Sequence, residues 1–114
     1  MEMLFAAIMA IEGWRGVGTV GAAGEIGPYQ ITKAYWQDSG VAGSHKDCES
    51  KEYSERVMMA YWKRYCPEAL RTRDLAVLAS VHHWGPKGAK VGVAFKDDYV
   101  ARAMAIVNSK RGAA

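Results

Sequence analysis

Hydrophobic positions along the chain recur mostly at helical spacing, and polar or glycine-rich gaps separate the runs. Residues 2 to 12, EMLFAAIMAIE, are apolar nearly all round, which predicts a helix buried in the core rather than laid on its surface. Glycines at 13, 16, 18, 21, 24 and 27, with Pro28, exclude both regular elements from 13 to 28 and predict a loop with short extended turns. Ile31, Ala34 and Tyr35 set a short helix over 30 to 37, stopped by Gly40 and Gly43. A polar connection, VAGSHKDCES, follows, with Ser50 as N-cap of the next helix. Over 51 to 66, Tyr53, Val57, Met58, Tyr61 and Tyr65 form one stripe that reads as core, with Trp62 and Arg64 as candidates for a cleft side. Pro67 ends that helix. Asp74 caps another, which carries Leu75, Leu78, Ala79 and His82 on one face and is broken by WGPKG at 84 to 88. The last helix runs from about 97 to 109, where Val100, Ala103, Met104 and Val107 repeat at i, i+3, i+4 and i+7, before a frayed KRGAA tail. No stretch alternates with period 2. The pattern predicts a mainly α fold of about five or six helices, one domain over residues 1–114.

Composition narrows the class. Half the 114 residues are hydrophobic and a quarter charged, ordinary for a globular chain and enough to exclude disorder, collagen and coiled coil. The net charge of +3 is spread among mixed signs, too mild for nucleic acid, which calls for a concentrated basic stripe. It is compatible with an anionic surface such as a bacterial cell wall. The run MLFAAIMAI lacks a basic n-region and a cleavage pattern, so it is no signal peptide, and it is far too short to span a bilayer. No long apolar patch demands a partner, so a monomer is expected. Cys48 and Cys66 allow one disulfide, worth roughly 3 kcal/mol by chain entropy, or stand as two buried thiols; export would favour the bridge.

The chemistry starts at Glu12. Gly13 directly after it marks a helix C-terminus, where the helix dipole disfavours a carboxylate, and the apolar run before it suggests partial burial. Both effects favour the protonated carboxyl that a general acid requires. The glycines that follow would let backbone approach a ligand closely. They match neither a phosphate loop nor a strand followed by G-x-G-x-x-G, so nucleotide binding is excluded. In GPYQI, Tyr29 offers a flat apolar face with a polar tip and Gln30 both a donor and an acceptor, tools suited to gripping a sugar. His82, His83 and His45 have no H-x-x-x-H spacing, so no metal site is expected, and no cofactor is implied.

At this combination the chain resembles a family. AIMAIEGWRGVG, GEIGPYQITKAYWQDSG, YSERVMMAYWKRY and VHHWGPKG, in that order, are similar to the lysozyme-like superfamily of goose-type lysozymes and soluble lytic transglycosylases, over about residues 6 to 88. The nearest likeness is to small bacterial and phage members with a GPYQI motif. The resemblance implies an α-helical domain with a Gly-rich catalytic loop that cleaves the β-1,4 bond between N-acetylmuramic acid and N-acetylglucosamine in peptidoglycan. It implies Glu12 as general acid and assigns Tyr29, Gln30 and His82 to the glycan. His83 and Trp84, also candidates for binding the substrate, with Trp84 suited to stack on a sugar ring, stand where Asn and Gly are usual, and Gly13 where a Ser would support the acid. A hydrolase normally works with two carboxylates; Glu25 is the candidate for the second, ahead of Asp38. A lytic transglycosylase would need Glu12 alone, and a non-catalytic wall-binding protein is the reading from a different class.

Overall fold

The structure, a computed structural model, describes residues 1–14, 16–90, 92 and 94–112, the side chain of Phe95 excepted. Six α-helices stand among the described residues: α1 (Glu2–Glu12), α2 (Lys33–Ser39), α3 (Lys51–Tyr65), α4 (Pro67–Thr72), α5 (Leu75–Trp84) and α6 (Asp98–Gly112), with 3₁₀ turns at His45–Glu49, Pro86–Ala89 and Ala94–Lys96. The mainly α expectation holds. Among the described residues no helix is long and apolar enough to cross a membrane. Contacts cluster into two compact units, residues 12–61 and residues 1–11 with 62–114.

In the unit of residues 12–61, the glycine-rich stretch folds through backbone pairing rather than through a sheet. Val20 bridges Ile26, and Ile26 bridges Ile31, by antiparallel contacts. Ile26 and Ile31 exchange both backbone hydrogen bonds, at 3.1 and 3.0 Å. That pairing is why α2 starts at Lys33 and not at residue 30: Ile31 is committed to the bridge and Thr32 caps the helix, its Oγ1 accepting the Tyr35 N–H. Gly40, at φ +72°, closes α2. Ser50 caps α3 as its position suggested, Oγ accepting from Tyr53 N. The core of this unit is aromatic. Tyr35 stacks on Tyr61 at 3.8 Å between centroids, and Trp36 Nε1 donates to the Tyr53 hydroxyl, which donates onward to the Ala42 carbonyl.

The 45–49 turn braces the glycine-rich stretch at three points. His45 Nε2 meets the Ile31 carbonyl at 2.7 Å, which makes Nε2 the protonated nitrogen. Glu49 Oε1 accepts the Gly18 N–H at 3.3 Å. Gly27, at φ +79°, lies so close to the Cys48 carbonyl that a Cβ there would stand 1.8 Å from its oxygen. Only glycine satisfies both the backbone angle and the approach.

In the unit of residues 1–11 and 62–114, Leu4, Ala7 and Ile8 of α1 are fully buried, as its all-round apolarity predicted. Trp62 is enclosed too: its ring packs on Phe5 at 5.9 Å and its Nε1 donates to the Leu78 carbonyl at 3.0 Å. The cleft-side role raised for Trp62 is thereby corrected, since an indole that finds an acceptor in the core has no reason to stay wet. Pro67 ends α3 and also opens α4 as its first residue, a helix that the apolar spacing does not separate. Asp74 caps α5 by accepting Val77 N–H. Gly88 of the WGPKG segment sits against α5, where a Cβ would meet the Ser80 carbonyl at 2.4 Å. α6 starts after Asp97, whose Oδ1 accepts Val100 N–H, and continues to Gly112, so residues 110–112 of the expected frayed tail are helical; residues 113 and 114 lie outside the described residues.

Cys48 and Cys66 form no bridge. Both are free, buried thiols, one in each unit. Burial pushes each thiol up to about 11, which leaves almost none of the reactive thiolate at neutral pH. The unfolding midpoint is therefore expected to be the same with and without reductant, and both thiols should react with a maleimide only after denaturant is added. A midpoint that falls in reductant would restore the disulfide.

Candidate functional site

Glu12 is the last residue of α1, and Gly13 turns the chain away at φ +63°. A glycine in the left-handed region directly after a helix is what lets the chain leave sharply. The turn leaves Glu12 half-buried at the edge of a cavity of about 190 Å³. Glu12, Gly13 and Trp14 line it from the helix end, Thr19, Val20 and Gly21 from the glycine-rich loop, and Gln30 from the GPYQI turn. Three separate stretches of the sequence thus converge: the acid, the glycines and the glutamine.

Each contributes differently. Gln30 holds φ +52°, a left-handed conformation that costs a non-glycine residue roughly 1–2 kcal/mol. Its backbone N–H and its Nε2 both donate to the Gly27 carbonyl, at 3.1 and 2.8 Å, which pins the strained residue in place. With one Nε2 hydrogen committed, the second can donate to a ligand and the amide oxygen can accept from one. Thr19 Oγ1 donates to the Gly16 carbonyl at 2.7 Å and closes the loop on itself. Val20 is largely exposed beside it and gives the lining an apolar surface. Trp14 Nε1 is buried with no hydrogen-bond partner among the described residues, an orphaned donor in the cavity wall.

Glu25 is near this cavity but not part of its lining. Its Oε1 accepts the Ala23 N–H at 2.8 Å, and the carboxylate lies across the Gly21 α-carbon, where a Cβ would meet Oε1 at 2.2 Å. The side chain is folded into its own turn against a residue that does line the cavity. Glu12 is the only carboxylate in the lining among the described residues.

Tyr29 departs from its expected role. It is fully buried, and its hydroxyl donates to Glu55 Oε2 at 2.5 Å, with Lys51 Nζ 2.7 Å from the same oxygen. Burial, then the Glu55 carboxylate, push the phenol far above its ordinary value. A ring with no exposed surface does not grip a sugar; it holds the turn that presents Gln30. Tyr29→Phe is accordingly expected to lower stability by about 1–2 kcal/mol, the lower range for a bond to a charged acceptor that keeps another partner, with an unchanged KM for glycan. A raised KM at unchanged stability would return the ring to the binding surface.

The third motif lies in the other unit. His82 is buried on α5. His83 stacks on Tyr99 at 4.1 Å and meets the Trp84 ring edge-on at 4.7 Å. Burial lowers the His83 pKa, against the pull of Asp97. Trp84 is 43% exposed.

Three members of the cavity, Trp14, Thr19 and Val20, were missed from the sequence as ligand contacts. Trp14 had a signal, an aromatic two residues after the candidate acid. Thr19 had none beyond its place among the glycines. Glu49, which braces Gly18 through Oε1 and buries an Oε2 with no hydrogen-bond partner among the described residues, had no local signal at all.

No family model matches the chain. Among curated proteins, it is 36% identical over 64 residues to a lysozyme of Ostrea edulis, a match that covers 54% of this chain and 47% of that protein. It is 36% identical over 84 residues to a lysozyme of Meretrix lusoria, covering 70% of this chain and 69% of that protein. The chain therefore spans about half the length of the first of these relatives and just over two-thirds of the second.

Proposed function

Because the chain belongs to the lysozyme family, we propose that it is a glycosidase that cleaves the β-1,4 bond between N-acetylmuramic acid and N-acetylglucosamine in peptidoglycan, acting at the bacterial wall as a monomer and without a cofactor. The observation that supports this reading best is the meeting of Glu12, at a helix C-terminus, with Gln30, on a strained turn, in one cavity. Glu12 would act as the general acid, its carboxyl carried to the cavity by the end of α1 and donating its proton to the glycosidic oxygen. As the bond breaks, the leaving sugar takes that proton and positive charge develops on the other ring. Gln30 would orient the glycan through its side-chain amide, and the exposed Val20 would lie against a sugar face. The GPYQI turn is the feature by which we group the chain with goose-type lysozymes and soluble lytic transglycosylases.

In a hydrolase, Glu25 would activate the attacking water or stabilise the positive ring. A second reading, a lytic transglycosylase, is favoured by one observation: the cavity lining holds a single carboxylate among the described residues, and Glu25 Oε1 is already engaged by Ala23. There the sugar's own 6-hydroxyl attacks the anomeric carbon and closes a 1,6-anhydro ring, with no water consumed. Mass spectrometry of the products from purified peptidoglycan separates the two. Reducing ends are expected from the hydrolase and anhydro ends from the transglycosylase. A folded protein that binds the wall and yields neither is a binding protein, and the enzyme reading fails.

A further inference from the structure

A second cavity, of about 460 Å³, lies in the unit of residues 62–114 and shares no residue with the one at Glu12. Trp84, Lys87, Lys90, Lys96 and Asp97 line it. Its volume is within the roughly 300–1,000 Å³ usual for small-molecule sites.

Two features set this concavity apart from an ordinary solvated patch of lysines. The first is charge that the protein does not neutralise. Among the described residues, three ammonium groups share the cavity with one carboxylate, that of Asp97, whose Oδ1 accepts Val100 N–H and whose Oδ2 accepts Trp84 Nε1–H; its charge offsets one of the three, and the lining keeps an excess of positive charge. Among the described residues, Lys87, Lys90 and Lys96 form no ion pair. The second is an exposed aromatic ring that is held still. The Trp84 indole is tied by its N–H to Asp97 and buttressed edge-on by His83, itself stacked on Tyr99, while Lys87 Nζ lies 5.4 Å from the indole centroid. A large amphipathic ring fixed before binding loses little freedom when a ligand arrives.

We propose that this cavity binds an acidic saccharide, a sugar whose ring lies on the Trp84 indole and whose carboxylate is met by Lys87, Lys90 and Lys96. A neutral glycan would use the indole and leave the lysines idle. A bare anion would use the lysines and leave the indole idle. A carboxylated sugar uses both, and lysines, as compact point charges, accept a carboxylate without the planar geometry an arginine fork imposes. N-acetylmuramic acid is itself a carboxylated sugar, so for its natural ligand the inference rests on the proposed function, while the binding preference can be read separately from cleavage at Glu12.

The test is an NMR titration of the full chain, following the Trp84 indole N–H resonance, assigned by its loss in Trp84→Phe. The probes are a hyaluronan tetrasaccharide, in which glucuronate alternates with N-acetylglucosamine, neutral chitotetraose, and inorganic phosphate. At about 10 mM ionic strength the hyaluronan fragment is expected to bind at least about tenfold more tightly than chitotetraose, the sum of two or three partly exposed charge pairs. Lys87→Ala with Lys90→Ala should erase that preference, as should about 150 mM salt in large part, while Glu12→Gln should keep it. Both lysines are exposed, so the double variant should fold; an unchanged dispersion of the remaining amide resonances verifies this. Equal affinity for the two oligosaccharides, or a preference that survives loss of the lysines, overturns the proposal. So does phosphate that shifts the indole resonance as strongly and as tightly as the acidic fragment, since that is a site for anions and not for sugars.

Discussion

Glu12→Gln is expected to reduce the release of soluble fragments from peptidoglycan by roughly 100- to 10,000-fold, the range a positioned general acid contributes. That corresponds to about 3–5 kcal/mol of barrier. Glutamine keeps the shape of the side chain and its place at the end of α1, next to Gly13, and removes the proton that the leaving oxygen must receive. The loss should therefore appear in kcat, while sedimentation with intact wall material stays as in the parent protein. Glu25→Gln, run beside it, divides the two chemistries. A fall of similar size makes Glu25 the second carboxylate of a hydrolase, and retention of most of the activity leaves Glu12 working alone. If Glu12→Gln retains full activity, the assignment of the acid is wrong and the cavity lined by Trp14, Thr19 and Gln30 loses its catalytic reading.

Gly27→Ala carries the largest expected effect on stability. The added Cβ would stand 1.8 Å from the Cys48 carbonyl oxygen and 2.7 Å from its carbon, at φ +79°. Neither obstacle is a side chain that can swing aside; both belong to the backbone of the 45–49 turn. The left-handed angle alone costs roughly 1–2 kcal/mol, and displacing the turn from the loop adds to it, so a total of at least about 3–4 kcal/mol is expected, a large share of the roughly 5–15 kcal/mol that holds a domain together. Gly24 supplies the comparison. It has nearly the same angle, φ +81°, with nothing within 4 Å of the point where a Cβ would stand, so Gly24→Ala should cost only the conformational part. Urea unfolding of the two variants measures the difference directly, and equal midpoints would show that the approach to Cys48 does not matter.

How far the molecule is legible in its sequence depends on the range over which each feature is decided. Glu12 and Gly13 mark the end of α1 because a helix stop is written within two residues, and Ser50 and Asp74 mark their caps for the same reason. Pro67 shows the limit of that grammar: read as a stop, it is also the first residue of α4, and the residue type cannot distinguish the two uses. α2 starts three residues later than its apolar spacing implies because Ile31 is claimed by Ile26, a pairing invisible to periodicity. Among the site residues, Glu12 and Gln30 stand where local rules are strained, a carboxylate at a helix end and a turn that forces a positive φ. Tyr29 and Trp62 mislead because an aromatic ring with a polar tip is equally suited to a core or a cleft, and what decides is an acceptor distant in sequence, Glu55 for one and Leu78 for the other. The cysteines stay open between two fates for a similar reason: their surroundings, and not their count, keep them as thiols.

The contact between Gly27 and Cys48 has a lopsided heredity. On one side it is made by a side chain's absence, and a single codon change destroys it. On the other it is made by a main-chain carbonyl, which every amino acid carries, so residue 48 is free to drift without disturbing its neighbour. Descendants of this chain should therefore keep glycine at 27 while cysteine at 48 comes and goes with the demands of its own apolar surroundings.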